Sequence, residues 1–381
     1  MSAYFRSHRN LGQQDRAFVA ETVFAVLRRK RSLEAAAGSA APRDLAVTAL
    51  VRVFGISGRV LEHDASLVAQ VKAFAGRDLP AAMRADLPDW LWERLLAAYG
   101  EQESAAIAQG LLGTAPLDLR VNLAKLTRAE ALAQLGLEGA LTELSPAGIR
   151  LKGKPAVNRH PLFLAGAVEV QDEGSQLLAY LLAPRRGEMV VDFCAGAGGK
   201  TLALSMLMHG TGRLYAMDVS GKRLRELAPR AARAGISNVH PIALASEADV
   251  RAKRLAGKID RVLVDAPCSG FGTLRRNPDL KWRHDAVAVE ELGAKQARIL
   301  NAAAKLLKPG GRLVYATCSI LPDENEVIAD AFAAGHPEFK VLSCAELLAT
   351  QRIPLDTGER LRLWPHRHGT DGFFAAAYER R

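Results

Sequence analysis

The chain has 381 residues, more than one hydrophobic core ordinarily organises, so two or three domains are expected. Hydrophobic residues make up 49% and charged residues 24%, which excludes a largely disordered or fibrous protein. Lysine and arginine number 51 against 41 acidic residues, and the resulting +10 favours a polyanionic partner, nucleic acid first, without separating RNA from DNA.

Residues 1–110 read as helices. The stretch "AFVAETVFAVLRR" carries apolar residues at mixed three and four spacing, and "SLVAQVKAFA" and "LWERLLAAY" follow, punctuated by Pro42, Pro80 and Pro88. The basic run Arg28, Arg29, Lys30, Arg31 suits the negative pole of a helix dipole and, as a second reading, phosphate contact. Residues 111–170 change texture to short strands, "LDLRVN", "GIRLKG" and "AVEVQ", around a helical "RAEALAQLGL", a small α+β segment.

Across 171–381, apolar strands alternate with helices: "EMVVDFCA", "GRLYAMD", "NVHPIAL", "DRVLVDA" and "GRLVYATC". The implied architecture is a doubly wound, Rossmann-like α/β domain, with two further strand candidates in the tail. No run of about 18 apolar residues occurs and the start lacks a signal-peptide pattern, so a cytoplasmic protein without membrane contact is expected.

The turn "CAGAGGKT" sets Cys194, Ala195, Gly196, Ala197, Gly198, Gly199 and Lys200 between a buried strand and a helix, where missing side chains let backbone N–H groups approach a ligand. A Walker loop would need glycine where Cys194 stands. Asp218 ends the next strand, the position from which an acid accepts hydrogen bonds from ribose hydroxyls. Together they indicate an adenosine-containing ligand.

The four cysteines, Cys194, Cys268, Cys318 and Cys344, show neither metal-ligand nor disulfide-framework spacing, so no metal is expected. Cys268 in "VLVDAPCSG" and Cys318 in "LVYATCSIL" each stand where an apolar strand runs out, so one pocket can receive both thiols. Free cysteines are more often buried small hydrophobes, the reading kept for Cys194 and Cys344. Between the two strands, Arg275, Arg276, Lys281 and Trp282 in "TLRRNPDLKW" mix charge and aromatic surface in a way suited to RNA contact. His366 and His368 have no further ligands near them in sequence and are read as loop residues.

The motifs "CAGAGGKT", "DAPCSGFGTLRRNPDLKW" and "YATCSILPDENEVI", with "VQDEGSQL" before them and "DGFF" after, resemble those of the RsmB/NOP/Sun family of RNA 5-methylcytosine methyltransferases. The segment 111–170 is similar to the family's RRM-like subdomain, and 1–110 resembles a shortened NusB-like helical region. The resemblance implies S-adenosylmethionine as cofactor, held by the 194–200 loop, Asp218 and Asp265, and RNA as partner, ribosomal rather than transfer RNA. It further implies Cys318 as the nucleophile, Cys268 as the thiol that assists breakdown of the covalent intermediate, Asp265 as the group that binds cytosine, and Lys200 near cofactor and base.

The chain departs from the family after the third strand, where "IALASEAD" lacks the usual acid for the adenine end. Glu247 and Asp249 lie one turn further on, and neither is assigned that contact. Two alternatives stay open: a DNA cytosine methyltransferase, which takes its Pro-Cys thiol as nucleophile, and a non-catalytic RNA-binding assembly factor.

Overall fold

The computed structural model describes residues 2–76 and 78–381. Two compact units divide the chain: Met1–Thr114 with Leu274–Ala286, and Ala115–Thr273 with Val287–Arg381.

The first unit is helical, with its main helices at Gln13–Arg28, Lys30–Ala37, Pro42–Arg52, Ala65–Ala73 and Asp89–Leu112. Pro42 occupies the first turn of its helix, where an absent N–H costs nothing, and Gly38 ends the preceding helix in the left-handed region at φ 63°. Ala25, Leu33, Leu45 and Ala49 form a small core. Arg28 donates to the Arg275 carbonyl at 2.9 Å, Arg31 to the Leu87 carbonyl at 2.7 Å, and Lys30 lies 3.8 Å from Glu34. Most of the basic run is therefore engaged inside the unit.

The inclusion of Leu274–Ala286 corrects one reading. Trp282 Nε1 donates to the Leu27 carbonyl at 2.7 Å, Lys281 Nζ donates to the Arg28 carbonyl at 2.8 Å, and Lys281 and Arg275 are buried. Lys281 and Arg275 thus pack within the helical unit instead of offering charge to RNA.

The second unit holds two sheets. Strands β1 (Leu117–Val121), β2 (Gly139–Leu141), β3 (Gly148–Leu151) and β4 (Val168–Val170) form an antiparallel sheet in the order β2-β3-β1-β4. The helix Arg128–Leu135 packs on it, opened by a Thr127–Glu130 capping box and closed by left-handed Gly136. A helix at Glu173–Leu182, buried at every position, leads to the large sheet.

That sheet contains β5 (Met189–Asp192), β6 (Arg213–Asp218), β7 (Val239–Ala243), β8 (Ile259–Asp265), β9 (Leu307–Thr317), β10 (Phe339–Leu342), β11 (Leu361–Leu363) and β12 (Phe373–Arg380). Its order is β10-β12-β9-β8-β5-β6-β7, with β11 also on β12. Strands β5 to β9 pair in parallel, whereas β12 runs antiparallel between β9 and β10. Val262, Leu263, Val264, Leu313, Val314 and Tyr315 have no exposed surface, because both faces of the central strands are covered. The chain winds from β5 through β6 and β7, then returns to β8 and β9 on the other side. That reversal opens a crevice at the carboxyl ends of β5, β6, β8 and β9.

Candidate active site

Each strand that ends at the crevice delivers one part of the site. Beyond β5, the loop from Cys194 to Lys200 turns into the helix Gly199–Leu207, and Gly196 (φ 55°) and Gly198 (φ 85°) take left-handed conformations closed to most side chains. Asp218 at the end of β6 ties this loop down: its Oδ2 accepts the Gly196 N–H at 2.8 Å and its Oδ1 the Ser220 N–H at 2.7 Å. From the small sheet, buried Arg120 on β1 donates to the Gly199 carbonyl at 2.7 Å. Nothing in the sequence singled out this arginine, since its neighbours in the chain are strand residues.

A cavity of about 520 Å³ lies against the loop, lined in part by Phe193, Cys194, Asp218, Val219, Leu244 and Ile299. Its size falls in the range of small-molecule sites. The walls Val219, Leu244 and Ile299 are apolar, as a flat heterocycle requires, and Asp218 supplies an acid at the rim. The residues present therefore fit an adenosine-containing cofactor. Asp249 is engaged elsewhere: it accepts from Arg251 and from the Ala245 N–H, and these hydrogen bonds hold its carboxyl far below the usual range. Glu247 does line the cavity, with Arg298 at 3.0 Å.

At the other end of the same cavity stand Asp265, Cys268 and Cys318. Lys200 Nζ lies 2.7 Å from Asp265 Oδ2. Burial works to lower the Lys200 pKa, but Asp265 outweighs it, helped by Cys318 and Asp192, and the ammonium is held above its ordinary value. Beneath them Asp192 is fully buried with Thr201 as its hydrogen-bond donor at 2.7 Å, and burial pushes its carboxyl up to about 7.

Cys268 Sγ and Cys318 Sγ are 3.4 Å apart. The hydrogen bond to Cys318, then burial, pushes the Cys268 thiol well above its usual range, so Cys268 holds its proton beside the Cys318 sulfur. Cys194 is held as a thiol by burial and by the surrounding carboxylates. Cys344, buried behind β12, is raised to about 11, chiefly by burial. The loop after Cys268 is clamped to the tail: Gly272 N–H donates to the Cys318 carbonyl and Gly372 N–H to the Gly272 carbonyl, each at 2.8 Å. The "DGFF" motif thus faces the "SGFG" turn. His368 Nδ1 accepts the Trp364 N–H at 2.9 Å, a local turn contact.

A glycine loop at the central strand, an acid closing the next, and an acid and two thiols at the ends of β8 and β9 define a Rossmann-like methyltransferase fold. Within that class, residues 179–379 match the family of the 16S rRNA methyltransferase RsmB/F, and residues 87–158 match the ferredoxin-like domain of RsmF/B-like methyltransferases. The chain belongs to the RsmB/F family. It is 36% identical over 296 residues to the probable ribosomal RNA small subunit methyltransferase B of Synechocystis, covering 76% of this chain and 66% of the relative. It is 38% identical over 291 residues to ribosomal RNA small subunit methyltransferase B of Shewanella oneidensis, with the same two coverages. The matched segment thus spans slightly less than two thirds of these relatives. The crystal structure of PH0851 superposes with a TM-score of 0.81 at 28% identity, over 99% of this chain and 93% of that one.

Proposed function

We propose that this chain is an S-adenosylmethionine-dependent RNA cytosine-C5 methyltransferase whose substrate is ribosomal RNA. The observation that carries the proposal is the pair of sulfurs 3.4 Å apart, set beside the Lys200–Asp265 ion pair at one end of a cofactor-sized cavity.

Carbon 5 of cytosine is too weak a nucleophile to take a methyl group unaided. Addition of the Cys318 sulfur to C6 converts the C5–C6 double bond into an enamine whose C5 carries the reactive electron pair. Asp265 faces the N4 amino group and accepts its hydrogen bond, while the Lys200 ammonium offsets negative charge arising at N3 on addition. When bound, S-adenosylmethionine supplies the electrophilic methyl group. Transfer of the C5 proton to the Cys268 sulfur, acting as a thiolate, then re-forms the double bond and expels Cys318 as the leaving thiolate. Cys268 fits this last stage. Once Cys318 is bonded to C6 it no longer acts as hydrogen-bond partner or charge beside Cys268, which removes the leading cause of that thiol's raised pKa.

The target cytosine must leave its stack to reach sulfurs at a sheet edge, so an unpaired or opened site is expected. Incubating a Cys268→Ala variant with ribosomal RNA and S-adenosylmethionine tests the scheme. A covalent protein–RNA adduct that survives denaturing electrophoresis, and disappears when Cys318→Ala is added, supports it. Methylation by Cys318→Ala at the wild-type rate overturns it.

A further inference from the structure

Glu324, in "LPDENEV", has no exposed surface. The residues that follow the two cysteines both converge on it: Ser269 Oγ and Ser319 Oγ each donate to Glu324 Oε2 at 2.5 Å. Its Oε1 accepts the Ser269 backbone N–H at 2.8 Å and the Gln296 side-chain amide at 3.0 Å. Gln296 also reaches the Pro267 carbonyl at 3.0 Å, one residue before Cys268. From β9, the Tyr315 hydroxyl donates to the Glu324 carbonyl at 2.5 Å.

Four donors fill the acceptor sites of the carboxylate, which is what a buried charge needs to persist away from water. The backbone does not hold the two loops on its own at this point. The β8–β9 ladder ends at Asp265 and Ala316, short of both sulfurs. Past that ladder the adjoining Ala266 N–H still reaches the Ala316 carbonyl, and Gly272 N–H reaches the Cys318 carbonyl. Between those two bonds, the position of Cys268 relative to Cys318 depends on what grips Ser269 and Ser319.

We propose that Glu324 is the positioning residue of the cysteine pair, fastening the two thiol-bearing loops to one carboxylate and so setting the distance between the sulfurs. It touches neither sulfur. Its negative charge has a separate effect: behind the Cys318 hydrogen bond, burial and the Cys318 charge, it adds to what keeps Cys268 protonated. The consequence for turnover rests on the function proposed above; the clamp itself does not.

Oxidation by diamide reads the sulfur separation without RNA or cofactor. Each thiol gives up one proton and one electron, the sulfur–sulfur bond forms, and the N=N bond of diamide is reduced to the hydrazine. The rate is followed in the 381-residue chain by peptide mass spectrometry of the Cys268–Cys318 linkage. Glu324→Gln and Glu324→Ala are expected to form it roughly tenfold more slowly than the wild type or worse, because displacement by about 1 Å is enough to cost that much. A purely electrostatic role predicts the opposite, since losing the charge makes Cys268 easier to ionise and speeds oxidation. A wild-type or faster rate in folded Glu324 variants therefore overturns the proposal. Should those variants fail to fold by circular dichroism, Ser269→Ala and Ser319→Ala decide it, and wild-type rates in both overturn it. Slow oxidation with unimpaired methylation leaves the clamp standing and defeats the role proposed for the thiols instead.

Discussion

Cys268 and Cys318 bring their sulfurs to 3.4 Å across 50 residues of chain, from the ends of two adjacent parallel strands. At that distance the two thiols cannot be treated as independent acids, and the proton on one is held by the other. Cys318 leads the causes that raise the Cys268 pKa, with burial second.

Removing Cys318 should therefore make Cys268 more acidic. In a Cys318→Ala variant, alkylation of Cys268 by iodoacetamide is expected to reach half its limiting rate at a lower pH than in the wild type, with burial preserving part of the upward shift. Peptide mass spectrometry separates Cys268 from Cys194 and Cys344. An unchanged pH profile would show that the two sulfurs do not share a proton.

The Lys200–Asp265 pair, 2.7 Å apart, is the charge at the mouth of the site. Replacing Lys200 with Met leaves Asp265 uncompensated and, in the mechanism proposed above, takes away the cation that offsets charge on the adding base. The rate of methyl transfer to ribosomal RNA should fall by roughly 10²-fold, the usual cost of one preorganised electrostatic group. Lys200→Arg keeps the charge and should recover part of the loss. Single-turnover rates under saturating RNA measure both.

Much of this arrangement was legible in the sequence because the parts are local. Val262 to Val264 and Leu313 to Ala316 are covered on both faces, so β8 and β9 read as continuous apolar runs ending in Asp265 and Cys318. Cys268, Lys200 and Asp218 likewise follow strands, and the doubly wound topology brings such ends together. What escaped reading has no local signature. All three residues of β2 are exposed, so no apolar pattern marks it, and β10 is a four-residue edge strand. The stretch around Trp282 resembles a basic, aromatic RNA loop until its contact with Leu27, 255 residues earlier, is seen. Glu324 looks like one acid among several in "PDENE"; its donors from Ser269 and Gln296, 55 and 28 residues away in the chain, set it apart.

Gly272 is required by space. A Cβ there would lie 2.2 Å from the Gly372 carbonyl oxygen and 2.8 Å from that of Cys318. Gly272→Ala must push apart the "SGFG" turn, the Cys318 loop and the "DGFF" strand entry. Destabilisation of about 1–3 kcal/mol is expected, the ordinary penalty for overpacking. Thermal unfolding reads that cost. The variant should also lose methylation at temperatures where it remains folded, because the Cys318 carbonyl is one of the atoms displaced.

Lys281 offers a stability prediction confined to the helical unit. It is 2% exposed, and burial, helped by Arg28 and Arg29 and opposed by Asp86, lowers its pKa from 10.5 to about 7. Between about pH 7 and 10.5 the unfolded chain carries a proton on this amine that the folded chain does not, so stability rises with pH across that window. Below the window the cost of burying the charge is present in full. Lys281→Met removes the proton from both states and gives up one hydrogen bond, the donation to the Arg28 carbonyl at 2.8 Å. That bond is worth about 1 kcal/mol, against a titration cost of a few kcal/mol for a shift of this size. The variant should therefore unfold at a higher temperature than the wild type at pH 6.5, and the gap should close by pH 10. A constant gap, or a variant less stable at pH 6.5, would mean that Lys281 keeps its charge in the folded unit.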